Sequence, residues 1–478
     1  MSLPELKLTD CRGSVIAHAC LTEGNEPVVS KRERMTDRAP FSLSRNWGAI
    51  IGRRTPSFSE NRPAAFASSP LSLRMNVSWA FVGFATYAAS QWVTLAIVAR
   101  FCGPDGLGKF ALALATSAPV MLFAGLELRL VQSADAEQKF SFAEYLALRL
   151  LGIGVAQTLI AGIGFVCGYH HLESSILMAV AFSKGAEAIA DVFYGQFQQR
   201  ERMDLIARSL ILRSMISTFV FGFVMYVTGS LVAGIYAQSI AWMVILFAFD
   251  IPSARQFLDT TWSGLIRSRI VSSRIWALAI LAAPAGLRSM LVSFEANIPY
   301  YALQCFSDER AIGVFAAMAY SLMIVQTFAR SLNQPAVPRF AVLLSQHDHA
   351  AFAKLLWRLC GIGLAIGLVG LTATAVFGKL FLTLAYGAAF SRESDILVIL
   401  MAACGLRMVS LPVAAAMTAA SQFVGLFRIQ AAAVAAMVVS AILFVPSLGL
   451  LGAALSALFV SLVMLIAHLL AVKTLLRS

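Results

Sequence analysis

The chain has 478 residues, of which 59% are hydrophobic and only 13% are charged. Since a soluble domain carries about 25% charged residues, this composition excludes a soluble protein that covers its surface with polar groups. The net charge of +12 does not indicate nucleic-acid binding, because the Lys and Arg residues lie between apolar windows and form no single solvated face.

The first 74 residues differ from the rest of the chain. They mix basic residues with Pro, Ser, Asn and Glu and lack sustained apolar periodicity, which predicts a disordered basic cytoplasmic tail. They also lack the apolar region of a secretory signal peptide. Met75 directly precedes the first apolar window, so the alternative is that residues 1–74 are a mis-called start and translation begins there.

Apolar windows of about 20 residues then recur to the end of the chain, which is the length of a membrane-spanning helix. The windows are apolar all round, whereas the strands of a membrane barrel would alternate. We therefore predict an all-α polytopic membrane protein with about twelve transmembrane helices. The predicted spans are 79–99, 109–131, 147–167, 174–196, 208–227, 231–249, 278–304, 311–332, 355–377, 394–420, 426–446 and 450–472.

Loop charges predict the orientation of these spans. With the N-terminus in the cytoplasm, the loops after even-numbered spans hold most of the basic residues: Arg200, Arg202, Arg208, Arg255, Arg267, Arg269, Arg274, Arg339, Lys354 and Arg358. The loops on the other side hold few: Lys109, Arg310, Lys379 and Arg392. This asymmetry predicts a bacterial inner-membrane protein with both termini in the cytoplasm.

A short motif occurs twice. Gly108-Lys109-Phe110-Ala111 starts the second span, and Gly313-Val314-Phe315-Ala316 starts the eighth. Six spans separate the copies, so both halves have the same orientation, as in a parallel repeat. We predict two six-helix lobes around a central cavity. The predicted boundaries are 75–252 for the N-lobe, 253–276 for a cytoplasmic linker and 277–478 for the C-lobe.

The fourth span carries the densest set of ionisable residues. Lys184, Glu187 and Asp191 are spaced three and four apart and form one stripe on a helix. Such a stripe is costly in lipid, so it is expected to face a cavity. It either contacts the substrate or a coupling cation, or Lys184 pairs with Glu187 and only fixes helix packing.

The seventh span carries Arg288 and Glu295, which lie seven positions apart on one helix face, followed by Asn297. Pro284 and Pro299 permit kinks in this helix. These features suit a moving, cavity-lining helix. The alternative is a structural salt bridge to another helix.

Arg407 lies in the middle of the tenth span, where a long side chain cannot easily reach the interface. Three weaker candidates lie near the inner ends of their spans, where arginines can snorkel: Glu127, Arg129 and Arg330. If Lys184, Arg288 and Arg407 converge on one cavity, that cavity would attract a phosphate or another anion.

Two segments resemble ligand-binding motifs, a nucleotide-binding loop and a metal site, but neither meets the requirements of its motif. Residues 103–110 almost match a nucleotide-binding P-loop, but Phe110 stands where Ser or Thr is required, and the segment links two membrane helices. His347-Asp348-His349 lies in a polar loop without further ligands. We therefore predict no metal site and no cofactor, and leave proton or sodium coupling open.

Three stretches carry a resemblance to a known family: residues 99–108, residues 184–207 and residues 297–317. The first holds Ala99-Arg100 and Gly103-Pro104, the second Gly195-Gln196-Phe197, and the third Asn297-Ile298-Pro299-Tyr300-Tyr301. On these residues the sequence resembles the polysaccharide flippase family, which includes O-antigen and capsule-unit translocases. That family shares a superfamily with multidrug and toxin extrusion transporters. The resemblance covers residues 75–478, and the first 74 residues depart from the pattern.

The resemblance implies a transporter, not an enzyme, that moves polyprenyl-diphosphate-linked oligosaccharides between leaflets. It implies membrane lipids and polysaccharide polymerase or export components as partners. The basic residues would neutralise the diphosphate, and Glu187, Asp191, Glu295 or Glu127 could bind a coupling cation. Two alternatives stay open: a cation-coupled drug extruder of the same fold, and a membrane polymerase or ligase, which the short external loops disfavour.

Overall fold

The computed structural model describes residues 73–135, 138–257, 273–323, 325–326, 336–420 and 422–475. The predicted tail up to residue 72 and residues 258–272 of the predicted linker lie outside the described residues. All contacts reported below lie within one compact unit, Phe66–Ser478.

The described residues form helices and no strand. They also include a π-helical segment, Leu246–Asp250, and a 3-10 turn, Ala388–Glu393. The helices are α1 (Leu73–Gly125), α2 (Leu128–Ala134), α3 (Phe142–Val166), α4 (His171–Gln199), α5 (Met203–Thr228), α6 (Leu231–Ile245), α7 (Ile251–Arg255), α8 (Ser273–Phe306), α9 (Glu309–Ser321), α10 (Ala336–Ser345), α11 (His349–Ala385), α12 (Ser394–Ala419), α13 (Phe423–Leu448) and α14 (Leu450–Leu475).

Nine helical segments of the described chain are long and apolar enough to cross a bilayer. The first is 60 residues long and bends at Gly103, whose φ of 68° lies in the left-handed region that favours glycine. A second helix therefore begins after Gly103, between the predicted spans 79–99 and 109–131. The all-α polytopic fold class is confirmed, and the count of twelve spans and the parallel repeat stay predictions.

A large apolar core joins the two halves of the chain at the end of the bundle near Gly103. It contains Leu107 and Phe110 of α1, Ile312 and Phe315 of α9, and Leu382 of α11. The burial of apolar side chains from both halves stabilises their association at this end. We call it the closed end.

The two copies of the repeated motif meet within the closed end. A Cβ atom on Gly108 would lie 2.0 Å from the carbonyl oxygen of Glu309, and one on Gly313 would lie 1.9 Å from that of Pro104. No side chain fits at such distances, so α1 and α9 can cross here only because both positions are glycine.

Polar contacts reinforce the closed end. Lys109 of α1 forms an ion pair with Glu309 of α9 at 3.4 Å. The Arg100 guanidinium donates to the carbonyl oxygens of Thr383 and Leu384 at the end of α11. An arginine placed there satisfies carbonyl groups that lack a partner within the helix and complements the helix dipole.

At the opposite end the described residues form two separate apolar cores. One core combines residues of α3, α4 and α5 with the start of α8, including Tyr145, Phe193 and Leu278. The other combines α10, α11 and α12, including Phe340 and Phe352. The apolar core that is shared at the closed end is therefore divided in two at the opposite end. We call the opposite end the open end.

Candidate functional site

The charged stripe of α4 lies on its half-exposed face. Lys184 Nζ lies 2.9 Å from Glu187 Oε2, and the Tyr87 hydroxyl of α1 donates a hydrogen bond to the other oxygen of this carboxylate. The other face of the helix, including Ala186 and Ala190, is buried. Lys184 and Glu187 therefore form the ion pair that was the alternative prediction for this stripe, and their charges cancel locally.

Asp191, further along the same stripe, is held by two arginines from other helices. Arg149 Nη2 of α3 lies 3.0 Å from it, and Arg129 Nη1 of α2 lies 3.4 Å from it. Arg129 also donates through Nε to Gln198 Oε1 at 3.1 Å. Arg129 therefore takes part in an interhelical network, and the snorkelling alternative is wrong for it.

Glu127 lies at a strained break between α1 and α2. Leu126 and Glu127 adopt φ values of 52° and 49°, a left-handed conformation that costs non-glycine residues about 1–2 kcal/mol each. The Glu127 carboxylate accepts a hydrogen bond from the Ser289 hydroxyl of α8. Backbone strain of this kind clusters at functional sites and switch regions.

A second polar centre links α8, α12 and α14. Glu295 of α8 is 1% exposed, and both of its oxygens accept hydrogen bonds from Arg407 of α12, Oε2 from Nη1 at 3.2 Å. Arg407 Nε donates to Ser461 Oγ of α14 at 3.1 Å. Asn297 donates to the Ser293 carbonyl of its own helix at 2.8 Å. The structural-salt-bridge alternative predicted for Glu295 is therefore formed, with Arg407 as the partner.

Arg288 differs from the other basic candidates. Its side chain is exposed on α8, and no described residue forms an ion pair with it. Lys184 and Arg407 are each neutralised by a carboxylate. Arg330 lies outside the described residues, and the convergence of Lys184, Arg288 and Arg407 on one cavity stays a prediction.

A fully buried ion pair, which was not predicted from the sequence, links α5 to the π-helical segment. Arg213 Nη2 of α5 lies 3.2 Å from Asp250 Oδ2, and both side chains are almost completely inaccessible. The Arg213 guanidinium packs 5.8 Å from the ring centroids of Tyr194 and Trp242. The signal was present, because Arg213 lies within the predicted fifth span and Asp250 directly follows the predicted sixth, where an ionisable residue is costly.

These features define an all-α polytopic membrane protein with ionisable side chains between helices of both halves. The sequence profile of the family described as polysaccharide biosynthesis protein matches residues 73–344, more than half of the chain. The protein belongs to this family, and the resemblance drawn from the three sequence stretches is confirmed.

One relative is the capsular polysaccharide biosynthesis protein CapF of Staphylococcus aureus. It is 25% identical over 327 residues, which cover 68% of this chain and 80% of the relative.

Two solved structures share the fold at low sequence identity. The lipid II flippase MurJ in an inward closed conformation has a TM-score of 0.64 at 12% identity, covering 82% of this chain and 87% of that chain. A point mutant of the MATE transporter VcmN of Vibrio cholerae has a TM-score of 0.59 at 16% identity, covering 85% of this chain and 96% of that chain. Both proteins are named as membrane transport proteins, and at these identities they show the fold alone.

Proposed function

We propose that the protein translocates polyprenyl-diphosphate-linked oligosaccharides across the bacterial inner membrane for the synthesis of a surface polysaccharide. The family supports a role in polysaccharide biosynthesis. The name of the Staphylococcus aureus relative supports a surface glycan, and the name of MurJ supports a lipid-linked substrate.

We infer that a cleft lies at the open end, between the two separate apolar cores, and that it supplies what such a substrate needs. A saccharide head group loses its water when it enters hydrocarbon, and each unpaired polar group then costs several kcal/mol. A cleft lined by ionisable and hydroxyl groups replaces that water, while the lipid tail remains in the bilayer. The open end faces the cytoplasm in the proposed orientation, so the described conformation is the one that receives the substrate, and rocking of the two halves would deliver it to the other side.

The proposed binding of the diphosphate rests on Arg288, which is exposed and forms no ion pair with a described residue. An unpaired guanidinium on a membrane helix cannot face lipid cheaply, so it belongs on the cleft. Its planar fork binds phosphate oxygens through two parallel hydrogen bonds. Lys184 and Arg407 already hold carboxylates, so Arg288 would make the first contact with the diphosphate.

The test is the leaflet in which the lipid-linked oligosaccharide accumulates. A deletion strain is complemented with wild type, Arg288→Ala, Arg288→Lys or the exposed control Arg358→Ala on α11. A glycan-binding lectin is then applied to inside-out and right-side-out vesicles. Cytoplasmic-leaflet accumulation is expected in the deletion strain and with Arg288→Ala, whereas Arg358→Ala should restore export. Arg288→Lys keeps the charge but loses the planar fork, so it should restore export only in part. No accumulation in the deletion strain, with surface glycan intact, would refute the proposed function.

One observation favours a second candidate, drug extrusion, namely the likeness to MATE transporters. A cationic drug needs a carboxylate that is free to receive it. Glu187, Asp191 and Glu295 all hold basic side chains of the protein, which argues against this candidate. A deletion strain with increased drug sensitivity and normal surface glycan would favour it.

A further inference from the structure

Two arginines from different helices converge on Asp191, the member of the α4 stripe that lies towards the open end. Arg149 Nη2 lies 3.0 Å from Asp191 Oδ2, and Arg129 Nη1 lies 3.4 Å from Asp191 Oδ1. No other carboxylate of the described residues forms an ion pair with either arginine. Two positive charges therefore share one carboxylate, whereas Lys184 and Arg407 each have a carboxylate of their own. We call Arg129 and Arg149 the arginine pair.

Both guanidinium groups keep donors that no described residue accepts. Arg149 Nε is buried and has no hydrogen-bond partner. Arg129 donates through Nε to Gln198 and through Nη1 to Asp191, and its Nη2 forms no hydrogen bond with a described residue. A buried polar group without a partner in a native protein calls for an explanation. Since a guanidinium can only donate, these groups are suited to a ligand that supplies several acceptor oxygens.

The surrounding residues hold both guanidinium groups in place. The Arg129 guanidinium packs 5.6 Å from the ring centroids of Phe84 and Tyr194, and stacking on aromatic rings restricts its orientation. A Cβ atom on Gly125 would lie 2.7 Å from Arg149 Nη1, so the glycine leaves room for that guanidinium. Groups that are fixed before a ligand arrives bind it more tightly, because ordering them on binding would cost affinity.

Asp191 is the most exposed member of this group. The side chains of Asp191 and Arg129 are 32% and 21% exposed, whereas that of Arg149 is 6% exposed. A ligand oxygen that replaces the Asp191 carboxylate would therefore contact both arginines at a place that is already accessible. The contact of 3.4 Å with Arg129 is longer than the distance of about 2.7–2.9 Å that is typical of such charged hydrogen bonds, so Asp191 competes only weakly for this arginine.

The arginine pair lies close to the helix that carries Arg288. Glu127, two positions before Arg129, accepts a hydrogen bond from Ser289, the neighbour of Arg288 on α8. This carboxylate therefore contacts α8, and it forms no ion pair with a described arginine. The turn of α8 that holds Arg288 thus contacts the segment that leads into Arg129.

We propose that Arg129 and Arg149 form a second binding site for the substrate diphosphate, which Asp191 occupies when no substrate is bound. Guanidinium groups recognise carboxylates and phosphates with the same planar fork, so Asp191 stands in for a phosphoryl group. The diphosphate carries more negative charge than one carboxylate and displaces it, and Asp191 in turn favours release of the diphosphate. The identity of the ligand rests on the proposed function. The inference makes Asp191 an internal competitor of the substrate instead of a ligand for a coupling cation.

Pyrophosphate binding to the purified protein tests the site without a lipid-linked substrate. Inorganic pyrophosphate at constant ionic strength should raise the unfolding temperature of the wild type in detergent, and Arg129→Gln should lose this shift. Asp191→Asn should show the shift at an about tenfold lower concentration, the factor that corresponds to losing one competing hydrogen bond between charged groups. A lower unfolding temperature of Asp191→Asn without a gain in pyrophosphate affinity would mean that Asp191 is only a structural partner, and would overturn the proposal.

Arg129→Gln keeps the proposal testable if Asp191→Asn does not fold. Arg129 is part-exposed, and its replacement leaves Arg149 paired with Asp191 at 3.0 Å. This variant should therefore fold and should not respond to pyrophosphate. A shift of wild-type size in Arg129→Gln would by itself refute the site.

Two substitutions serve as controls for Asp191→Asn. Glu187→Gln neutralises a carboxylate with the same exposed fraction, 32%, one turn away on α4. It frees one ammonium group instead of two guanidinium groups, so its gain in pyrophosphate affinity should be smaller. Asp395→Asn removes the same charge from an exposed residue that forms no ion pair with a described residue, and it should leave the affinity unchanged. Equal gains in Asp191→Asn and either control would show that the arginine pair is not the site.

The phosphate of a membrane lipid is the other source of an oxyanion near the open end. Phosphatidylglycerol in mixed micelles should stabilise the wild type and Arg129→Gln equally, because the site is proposed to take a diphosphate. A stabilisation by phosphatidylglycerol that disappears in Arg129→Gln would assign the arginine pair to lipid head groups and refute the proposal.

Translocation separates this inference from the proposed function. In liposomes that carry lipid-linked oligosaccharide from the deletion strain, Asp191→Asn should reach its half-maximal rate at a lower substrate concentration. Its maximal rate should also be lower, because the diphosphate leaves more slowly. Arg129-dependent pyrophosphate binding by a wild type that translocates nothing would refute the function and leave the oxyanion site. Translocation by a wild type whose unfolding temperature does not respond to pyrophosphate would refute the site alone.

Discussion

Replacing Gly313 by alanine should open the closed end. The added Cβ would lie 1.9 Å from the Pro104 carbonyl oxygen and 2.9 Å from Gly108 N. A carbon atom normally approaches a carbonyl oxygen to about 3.3–3.6 Å, so α1 and α9 must separate by about 1.5 Å. Both obstructing atoms belong to the backbone, which cannot turn aside as a flexible side chain can. The ion pair between Lys109 and Glu309 would lengthen at the same time.

The size of the effect follows from the cost of overpacking. Inserting a methyl group into a packed contact costs about 1–3 kcal/mol, and the closed-end contact exists only in conformations that resemble the described one. The population of conformations with this contact, relative to those opened at this end, should therefore fall by about 5- to 150-fold. A cysteine at Thr116, which is buried two turns beyond the crossing, would report this change through its rate of alkylation by a water-soluble maleimide in a cysteine-free background.

Gly154→Ala provides the control, because a Cβ at that position has no neighbour within 4 Å. It should leave both the alkylation rate and the unfolding temperature unchanged. If Gly313→Ala behaves like Gly154→Ala in both measurements, the glycine crossing does not hold the end closed, and our account of the closed end is wrong.

Three further substitutions test the energetics of the fold by thermal unfolding in detergent. Arg407→Ala should lower the free energy of unfolding by about 3–5 kcal/mol, because it leaves the buried Glu295 charge uncompensated. Glu295→Gln should cost less, because it removes the buried charge and keeps the side-chain volume. Equal losses in the two variants would show that an uncompensated Glu295 charge is not the cause of the Arg407→Ala loss. Glu201→Gly should raise the free energy of unfolding by about 1 kcal/mol, because Glu201 is exposed with a φ of 54°; a lower stability would contradict this.

The sequence predicted the contacts that depend on local spacing. The pair between Lys184 and Glu187 follows from their separation of three positions on one helix. The repeated motif placed Gly108 and Gly313 at the starts of two corresponding helices. Its two copies meet in the structure, although the repeat could not show that they touch, because this depends on how the two halves pack.

Partners from distant helices could not be predicted in this way. Glu295 and Arg407 are 112 positions apart, and each was recognised as a candidate without its partner. Arg213 lies within the predicted fifth span and Asp250 directly follows the predicted sixth, and neither position identifies the other as its partner. Their proximity depends on the rotation of α5 against α6 and on the π-helical segment, which apolar windows do not specify.

Reconstitution tests most directly whether the protein moves a lipid-linked oligosaccharide between leaflets. Purified wild type and Arg288→Ala are incorporated into liposomes that contain a fluorescently labelled lipid-linked oligosaccharide from the deletion strain, and a membrane-impermeant quencher is added outside. We expect that the wild type makes inner-leaflet molecules accessible to the quencher and that Arg288→Ala does so more slowly. Quenching confined to the outer leaflet, as in liposomes without protein, would contradict it.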